Sequence, residues 1–149
     1  MNVKVLVDTN VLVYAYDLTE PAKQEQALKV LDELATTGRG ALTAQVLAEF
    51  VVAATRKIAE PLSSERVMGC VENYLRSWTV LDLTGLIVLE AVRGVREHSL
   101  SYWNAQIWAT ARLNQISVIF SEDFASGSVL EGVAFVNPFS TGFEISAWL

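Results

Sequence analysis

Short β-branched runs alternate with helical patterns along the whole sequence, and this alternation restricts the possible folds more than any other feature. Val3–Val7 is the first such run; it ends at Asp8 and a helical pattern follows at once over about 10–17. Thr19 or Glu20 with Pro21 opens a second helix, in which Ala27, Val30, Leu31 and Leu34 recur at helical spacing until Gly38 caps it. Gly40–Thr43 reads as a strand, Thr43 caps a helix to about residue 59, and Pro61 with Ser63 or Ser64 opens another that ends near Trp78. Val80–Leu83 is the next strand, followed by a Thr84-capped helix over 85–98 and a Ser101-capped helix over 102–115. Strands at 118–120 and 133–136 complete the pattern. Strands separated by helices predict an α/β chain with a parallel, doubly wound sheet, whose site belongs at the carboxyl ends of the strands.

The 149 residues suit one domain spanning 1–149, and no repeat or Pro/Gly/Ser linker divides them. A hydrophobic content of 52% against 19% charged residues excludes disorder and leaves apolar surface for a subunit or partner. The single cysteine, Cys70, cannot form an internal disulfide, so a reducing cytoplasm fits best. Asp8 interrupts the apolar start before signal-peptide or membrane-span length, which predicts a soluble, unprocessed chain with no membrane association. Eleven Lys and Arg against seventeen Asp and Glu give a net charge of −6, so a broad basic surface for phosphate is absent. Taken alone, that argues against nucleic acid.

Certain acids stand where the fold would use them. Asp8 ends a strand and begins a helix, the place of a ligand-facing side chain or of a plain helix cap. Glu49 is the only charge in VLAEFVVAA, which predicts a helix buried all round and a carboxylate that must be paired, neutralised or metal-bound; the alternative is an edge residue reaching solvent or Arg56. Asp123 follows the apolar run 116–120 in the stretch SEDF beside Glu122, again at a strand end, although paired acids in a turn are often only solvated. Asn104 stands third in the helix capped by Ser101, where spacing alone reads it as a first-turn polar residue. Oxygen donors from distant segments without His or Cys suit Mg²⁺ or Mn²⁺ rather than zinc. His98, the only histidine, sits beside Arg96 and Glu97 near a helix end, the setting of a capping or solvated group, and no catalytic triad is built on it. The sequence contains neither GxGxxG nor GxxxxGK[ST], so dinucleotide and P-loop chemistry lack their phosphate cradles. A phosphotransferase using Asp8 as nucleophile, as haloacid dehalogenase-like phosphatases do, wants a second Asp two residues on, where Asn10 stands. Trp108 reads as core and Trp103 is open between core and base stacking. Ser140–Leu149, with Phe143, Ile145 and Trp148, is an interface arm or a docked terminus.

With VDTNVLVYAYD at the start, LTAQVLAEF, SYWNAQIWATA, SEDF and VNPF in that order over about residues 3–139, the sequence resembles the PIN-domain ribonucleases. The resemblance is to the VapC type, toxins of bacterial toxin–antitoxin pairs. It implies an α/β/α sandwich with a central, mainly parallel sheet. It also implies a metal-dependent endoribonuclease that hydrolyses RNA phosphodiesters with Mg²⁺ or Mn²⁺. The implied metal-binding and catalytic positions are Asp8, Glu49, Asn104 and Asp123, with Thr9, Asn10 and Ser121 as supporters; Glu122, beside Asp123, is read as a further supporter. A homodimer and a cognate antitoxin covering the groove are implied as well. This chain departs from the family at position 104, where Asn replaces Asp; an amide offers an oxygen but no charge, so metal affinity and water activation should fall unless Glu122 supplies the missing charge. The alternative reading is a catalytically impaired PIN-like binding or regulatory module. Two bound divalent cations would bring the formal charge from −6 to −2, which turns an acidic cleft into one that attracts phosphate.

Overall fold

The computed structural model describes residues 2–149. It contains strands β1 (Val5–Val7), β2 (Gly40–Thr43), β3 (Thr79–Leu81), β4 (Val118–Phe120), β5 (Val129–Leu130) and β6 (Val133–Val136). The helices are α1 (Thr9–Tyr14), α2 (Pro21–Thr37), α3 (Ala44–Arg56), α4 (Ser64–Ser77), α5 (Gly85–His98) and α6 (Tyr102–Leu113), and a short 3₁₀ turn follows at Ile145–Ala147. The sheet runs β3-β2-β1-β4-β6-β5 and is parallel except for the β5–β6 hairpin. The parallel α/β architecture expected from the alternation is therefore present. The chain steps outward from β1 through β2 to β3 and then returns past β1 to β4. Right-handed crossovers accordingly place α1–α4 on one face and α5–α6 on the other.

Local chemistry sets most boundaries. The hydroxyls of Thr43, Ser63, Thr84 and Ser101 accept bonds from the backbone N–H groups of Val46, Arg66, Ile87 and Asn104, so each of these helices starts where its capping side chain allows. Gly38 ends α2 at φ 68°, a left-handed conformation that favours glycine. The first helix stops at Tyr14, three residues short of the expected end, because the backbone tightens into 3₁₀-type bonds from Tyr16 to Val13 and Asp17 to Tyr14. Strand β5 was not expected. It is two residues long and joined to β6 by Glu131 and Gly132, both at positive φ, a turn that carries no Asn-Gly or Asp-Gly signal.

The core is built from the inner strands, with Val5, Leu6, Val7, Ile119 and Phe120 fully buried, and from Phe50, Phe135 and Trp108. Trp108 is core, as its spacing predicts. Its indole N–H donates to the Leu130 carbonyl at 3.2 Å, His98 meets the ring edge-on at 5.4 Å, and Gly94 lies against it. The terminal segment is docked: Phe143 packs edge-on to Phe120 at 5.3 Å, and Ile145 and Trp148 are half-buried against the core. Among the described residues no helix is long and apolar enough to cross a membrane.

A Cβ at Gly94 would come within 2.9 Å of Trp108 ring atoms that have no room to retreat. Gly94→Ala is therefore expected to destabilise the fold by about 1–3 kcal/mol through overpacking, read from urea denaturation. An unchanged midpoint would contradict this packing.

Candidate metal centre

The strand order reverses between β1 and β4, the topological switch point at which an open α/β sheet leaves a crevice. Asp8 continues from the end of β1, its N–H donating to the Phe120 carbonyl at 2.9 Å, and Ser121, Glu122 and Asp123 continue from the end of β4. Topology thus brings together two acids 115 residues apart in sequence.

Asp8 is only 4% exposed. One carboxylate oxygen, Oδ1, accepts from the Thr9 N–H at 2.7 Å, and Oδ2 accepts from the Ser121 hydroxyl at 2.6 Å. Ser121 Oγ in turn accepts from Asn10 Nδ2 at 3.3 Å and from the Asp123 N–H at 3.1 Å, and Asn10 Oδ1 accepts from the Glu122 N–H at 3.2 Å. Thr9, Asn10 and Ser121 therefore hold the two loops in register. Burial pushes the Asp8 carboxyl up to about 6; the bonds from Ser121 and Thr9 oppose that rise, and the charges of Asp123 and Glu49 add to it.

Glu49 reaches this cluster by another route. Thr9 Oγ1 donates to Glu49 Oε1 at 2.9 Å, which links α3 to the first turn of α1. The expectation of a helix buried all round is corrected here: Val46, Leu47, Phe50 and Ala54 face the core, whereas Ala44, Ala48, Glu49 and Val52 are exposed. The stretch is apolar on both sides because its outer apolar residues line a groove beside the acids, so composition alone does not reveal which side is buried.

A chain of polar side chains from α6 and α3 supports Glu49. Tyr102 OH donates to Gln106 Oε1 at 2.8 Å, Gln106 Nε2 donates to Gln45 Oε1 at 2.8 Å, and Gln45 Nε2 is within 3.3 Å of both Glu49 Oε1 and the Trp103 carbonyl. Because the tyrosine hydroxyl donates at one end, both amides are oriented and the chain of bonds terminates on the carboxylate. A glutamine in the apolar stretch AQIWATA, and another four residues before Glu49, were the available signals.

Among the described residues, two expected members make no hydrogen bond to the three acids. Asn104 occupies the first turn of α6, half-buried, with its N–H directed to Ser101 Oγ at 3.4 Å; among the described residues its side chain makes no hydrogen bond. Glu122 does not supply the charge missing at position 104. It turns away to bind Lys23 Nζ at 2.6 Å and Tyr14 OH at 2.7 Å; burial alone would raise its carboxyl, but these bonds outweigh burial and hold it below its ordinary value.

Among the described residues, no three His, Cys, Asp or Glu side chains converge into a closed metal cage, and no ion pair involves Asp8, Glu49 or Asp123. This donor set still fits one kind of ion. Mg²⁺ retains several waters and binds through one or two carboxylates, so a buried Asp8 with an exposed Asp123 and a nearby Glu49 suits it better than it suits zinc. Burial first, and the repulsion of Asp123 and Glu49 after it, raise Asp8, and a cation beside it would oppose both by favouring the charged form.

The sequence matches the PIN domain family over residues 5–125. The chain belongs to the PIN-domain family. No curated protein matches it. Among solved structures, this PIN domain is similar to a toxin–antitoxin complex from Klebsiella pneumoniae, with a TM-score of 0.67 at 18% identity over 91% of this chain and 98% of that one. VapC20 of Mycobacterium tuberculosis, described as a Sarcin-Ricin loop cleaving toxin, gives 0.64 at 18% identity, covering 86% of this chain and 98% of its own. A DNA-bound VapBC from Salmonella typhimurium gives 0.62 at 16% identity, covering 89% and 96%. At these identities the likeness is one of fold, and it agrees with the mainly parallel α/β/α sandwich.

Two measurements follow from the geometry. The folded Asp8 carboxyl binds its proton up to about pH 6 while the unfolded one releases it near 3.8, so between these values the folded state holds more protons and stability falls as pH rises. Asp8→Asn removes that dependence: at pH 7.5 it should be more stable than the parent by up to about 3 kcal/mol, and near pH 3.5 the two should converge. Parallel denaturation curves across the window would contradict the assigned burial. Gln106→Leu leaves Gln45 Oε1 without its donor and should lower stability by about 1–3 kcal/mol; a midpoint equal to the parent's would remove the amide chain from the account.

Proposed function

We propose that this PIN domain is a metal-dependent endoribonuclease, the toxin of a toxin–antitoxin pair. The observation that carries the reading is the buried Asp8 carboxylate at the switch point, pushed up to about 6 and facing the uncompensated charges of Asp123 and Glu49. Asp8 and Asp123 would hold Mg²⁺ or Mn²⁺ directly. Glu49 would hold it through water, and Asn104 would contribute an amide oxygen from the first turn of α6.

When bound, the cation lowers the pKa of a coordinated water and neutralises charge on the scissile phosphate. The chain's own residues perform the remaining tasks. Ser121 and the Thr9 N–H fix the plane of the Asp8 carboxylate, so its orientation is set before any ligand arrives. Thr9 and Gln45 occupy Glu49 Oε1, which leaves Oε2 to accept from a water and align it for attack. Asn10 and Ser121 tether the backbone N–H groups of Glu122 and Asp123 and so hold the SEDF turn against β1. No histidine base is needed, in keeping with the position of His98, which is bonded to Glu131 at 2.6 Å and packed on Trp108.

The similar toxin–antitoxin structures support an antitoxin as partner, and the one described as cleaving the Sarcin-Ricin loop supports RNA as substrate. A homodimer is supported by the outer face of α5, where Leu86 and Leu89 are 71% and 68% exposed beside Val92. The half-buried free thiol of Cys70 suits a reducing cytoplasm. A second reading, an impaired PIN-like binding module, is favoured by one observation: Asn104 supplies no charge, and Glu122 cannot replace it because Lys23 already engages it.

Asn104→Asp should raise Mn²⁺-dependent RNA cleavage at least tenfold over the parent, and Asp8→Ala in that background should abolish it with the circular dichroism spectrum unchanged. Cleavage retained in the Asp8→Ala form would overturn the assignment. An Asn104→Asp protein that binds Mn²⁺ yet leaves RNA intact would favour the binding module.

A further inference from the structure

Glu49 is one end of a groove that the metal centre does not use. The groove has a volume of about 630 Å³, in the range of cavities that take small organic groups. One wall is the outer face of α3, with Ala48 and Val52, and the other carries Trp103 from α6. Lys57 is the cation among its lining residues. Glu49 on α3 and Lys57 at its C-cap both line the groove, eight residues or about 12 Å of axis apart, so an acid end and a basic end are separated by an apolar stretch.

Trp103 is the unusual residue of that stretch. It is 60% exposed although it stands next to Asn104 and two residues before a continuously buried segment of α6. It is also held in place: its carbonyl accepts from Gln45 at 3.3 Å and its ring meets Tyr102 edge-on at 5.2 Å. A large, flat, exposed ring that packs edge-on with one neighbour is available for stacking, and base–aromatic stacking is how proteins hold single-stranded nucleic acid without reading its sequence.

We infer that the groove is a base-binding subsite for single-stranded RNA, in which a nucleobase next to the scissile phosphate stacks on Trp103 and Lys57 meets a phosphate farther along the strand. The inference rests on the nuclease reading above and extends it from the acids to the substrate. Continuity selects RNA over a protein ligand: Thr9 and Glu49 belong both to the groove wall and to the acid cluster, so a strand whose phosphate reaches Asp8 and Asp123 has its neighbouring base in this groove. Charge agrees, since the groove places its cation at the end remote from the carboxylates, where a phosphate can sit without a metal ion. Such a subsite also explains how a chain of net charge −6 can retain a nucleic acid: stacking replaces the missing basic platform locally.

The test is the binding of a fluorescein-labelled 2′-O-methyl RNA hexanucleotide, which is not cleaved, to the full chain and to Trp103→Ala, Trp103→Phe and Lys57→Gln, followed by anisotropy at several salt concentrations in Mg²⁺. Trp103→Ala should weaken binding about 5- to 150-fold and Trp103→Phe, which keeps a ring, less than about threefold. Lys57→Gln should reduce the salt slope by about one contact. An oligonucleotide abasic at one position should bind the parent more weakly but show little further loss with Trp103→Ala. A parent that binds the RNA with an affinity unmoved by Trp103→Ala overturns the subsite and leaves the nuclease reading standing. A parent with no affinity for RNA, alone or with Mg²⁺, overturns both. Loss of self-association by light scattering in Trp103→Ala, with RNA affinity intact, assigns the groove to a protein interface and overturns the subsite.

Discussion

A single buried carboxylate organises this molecule. Asp8 joins the end of the first strand to the first helix, and through Ser121 it joins that strand to the loop after β4, so the crevice exists because these two chain segments are bonded to each other. Removing a carboxylate from water is costly unless it is hydrogen-bonded or paired. Here the two donors offset only part of the penalty, and Asp123 and Glu49 add repulsion, so the carboxyl is held near 6. The fold thus carries an electrostatic cost at one point, and a bound cation would lower it.

The treatment of charge elsewhere makes this point clearer. Around Arg93 and Arg112, Glu90 and Glu131 are matched by guanidinium groups, and Arg93, followed by His98, holds Glu131 down at about 2. Glu122 is matched by Lys23, which also lies over the Tyr14 ring at 4.8 Å. These acids tie α5, α6 and the β5–β6 hairpin together, or α2 to the β4 loop, and they are compensated. Among the described residues, Asp8, Glu49 and Asp123 face one another with no ion-pair partner, in contrast to these compensated acids.

The alternation of runs and helices gave the parallel sheet, and capping hydroxyls at Thr43, Thr84 and Ser101 gave the helix starts, because both are encoded over a few neighbouring residues. Asp8 and Asp123 were legible as strand-end acids, yet their approach depends on strand order, which is not local. Glu49 was singled out for the wrong reason: the apolar stretch around it reflects a groove outside as well as a core inside, and periodicity cannot separate two apolar surfaces on opposite sides of one helix. The Tyr102–Gln106–Gln45 chain left only its two glutamines as a signal, because glutamine carries no charge and its meaning lies in partners 61 residues away. Glu122 shows the converse error, since adjacency to Asp123 in sequence does not place it in the same crevice when Lys23 and Tyr14 draw it to the other side.

The central claim is that the crevice between β1 and β4 is a hard-cation site built on Asp8. Calorimetric titration of Mn²⁺ into the chain at pH 6, repeated in buffers of different ionisation enthalpy, tests it most directly. The account predicts saturable binding with proton release from Asp8, lost in Asp8→Ala and weakened in Asp123→Ala and Glu49→Ala, with all variants folded. Absence of saturable binding, or binding that Asp8→Ala leaves intact, would contradict it.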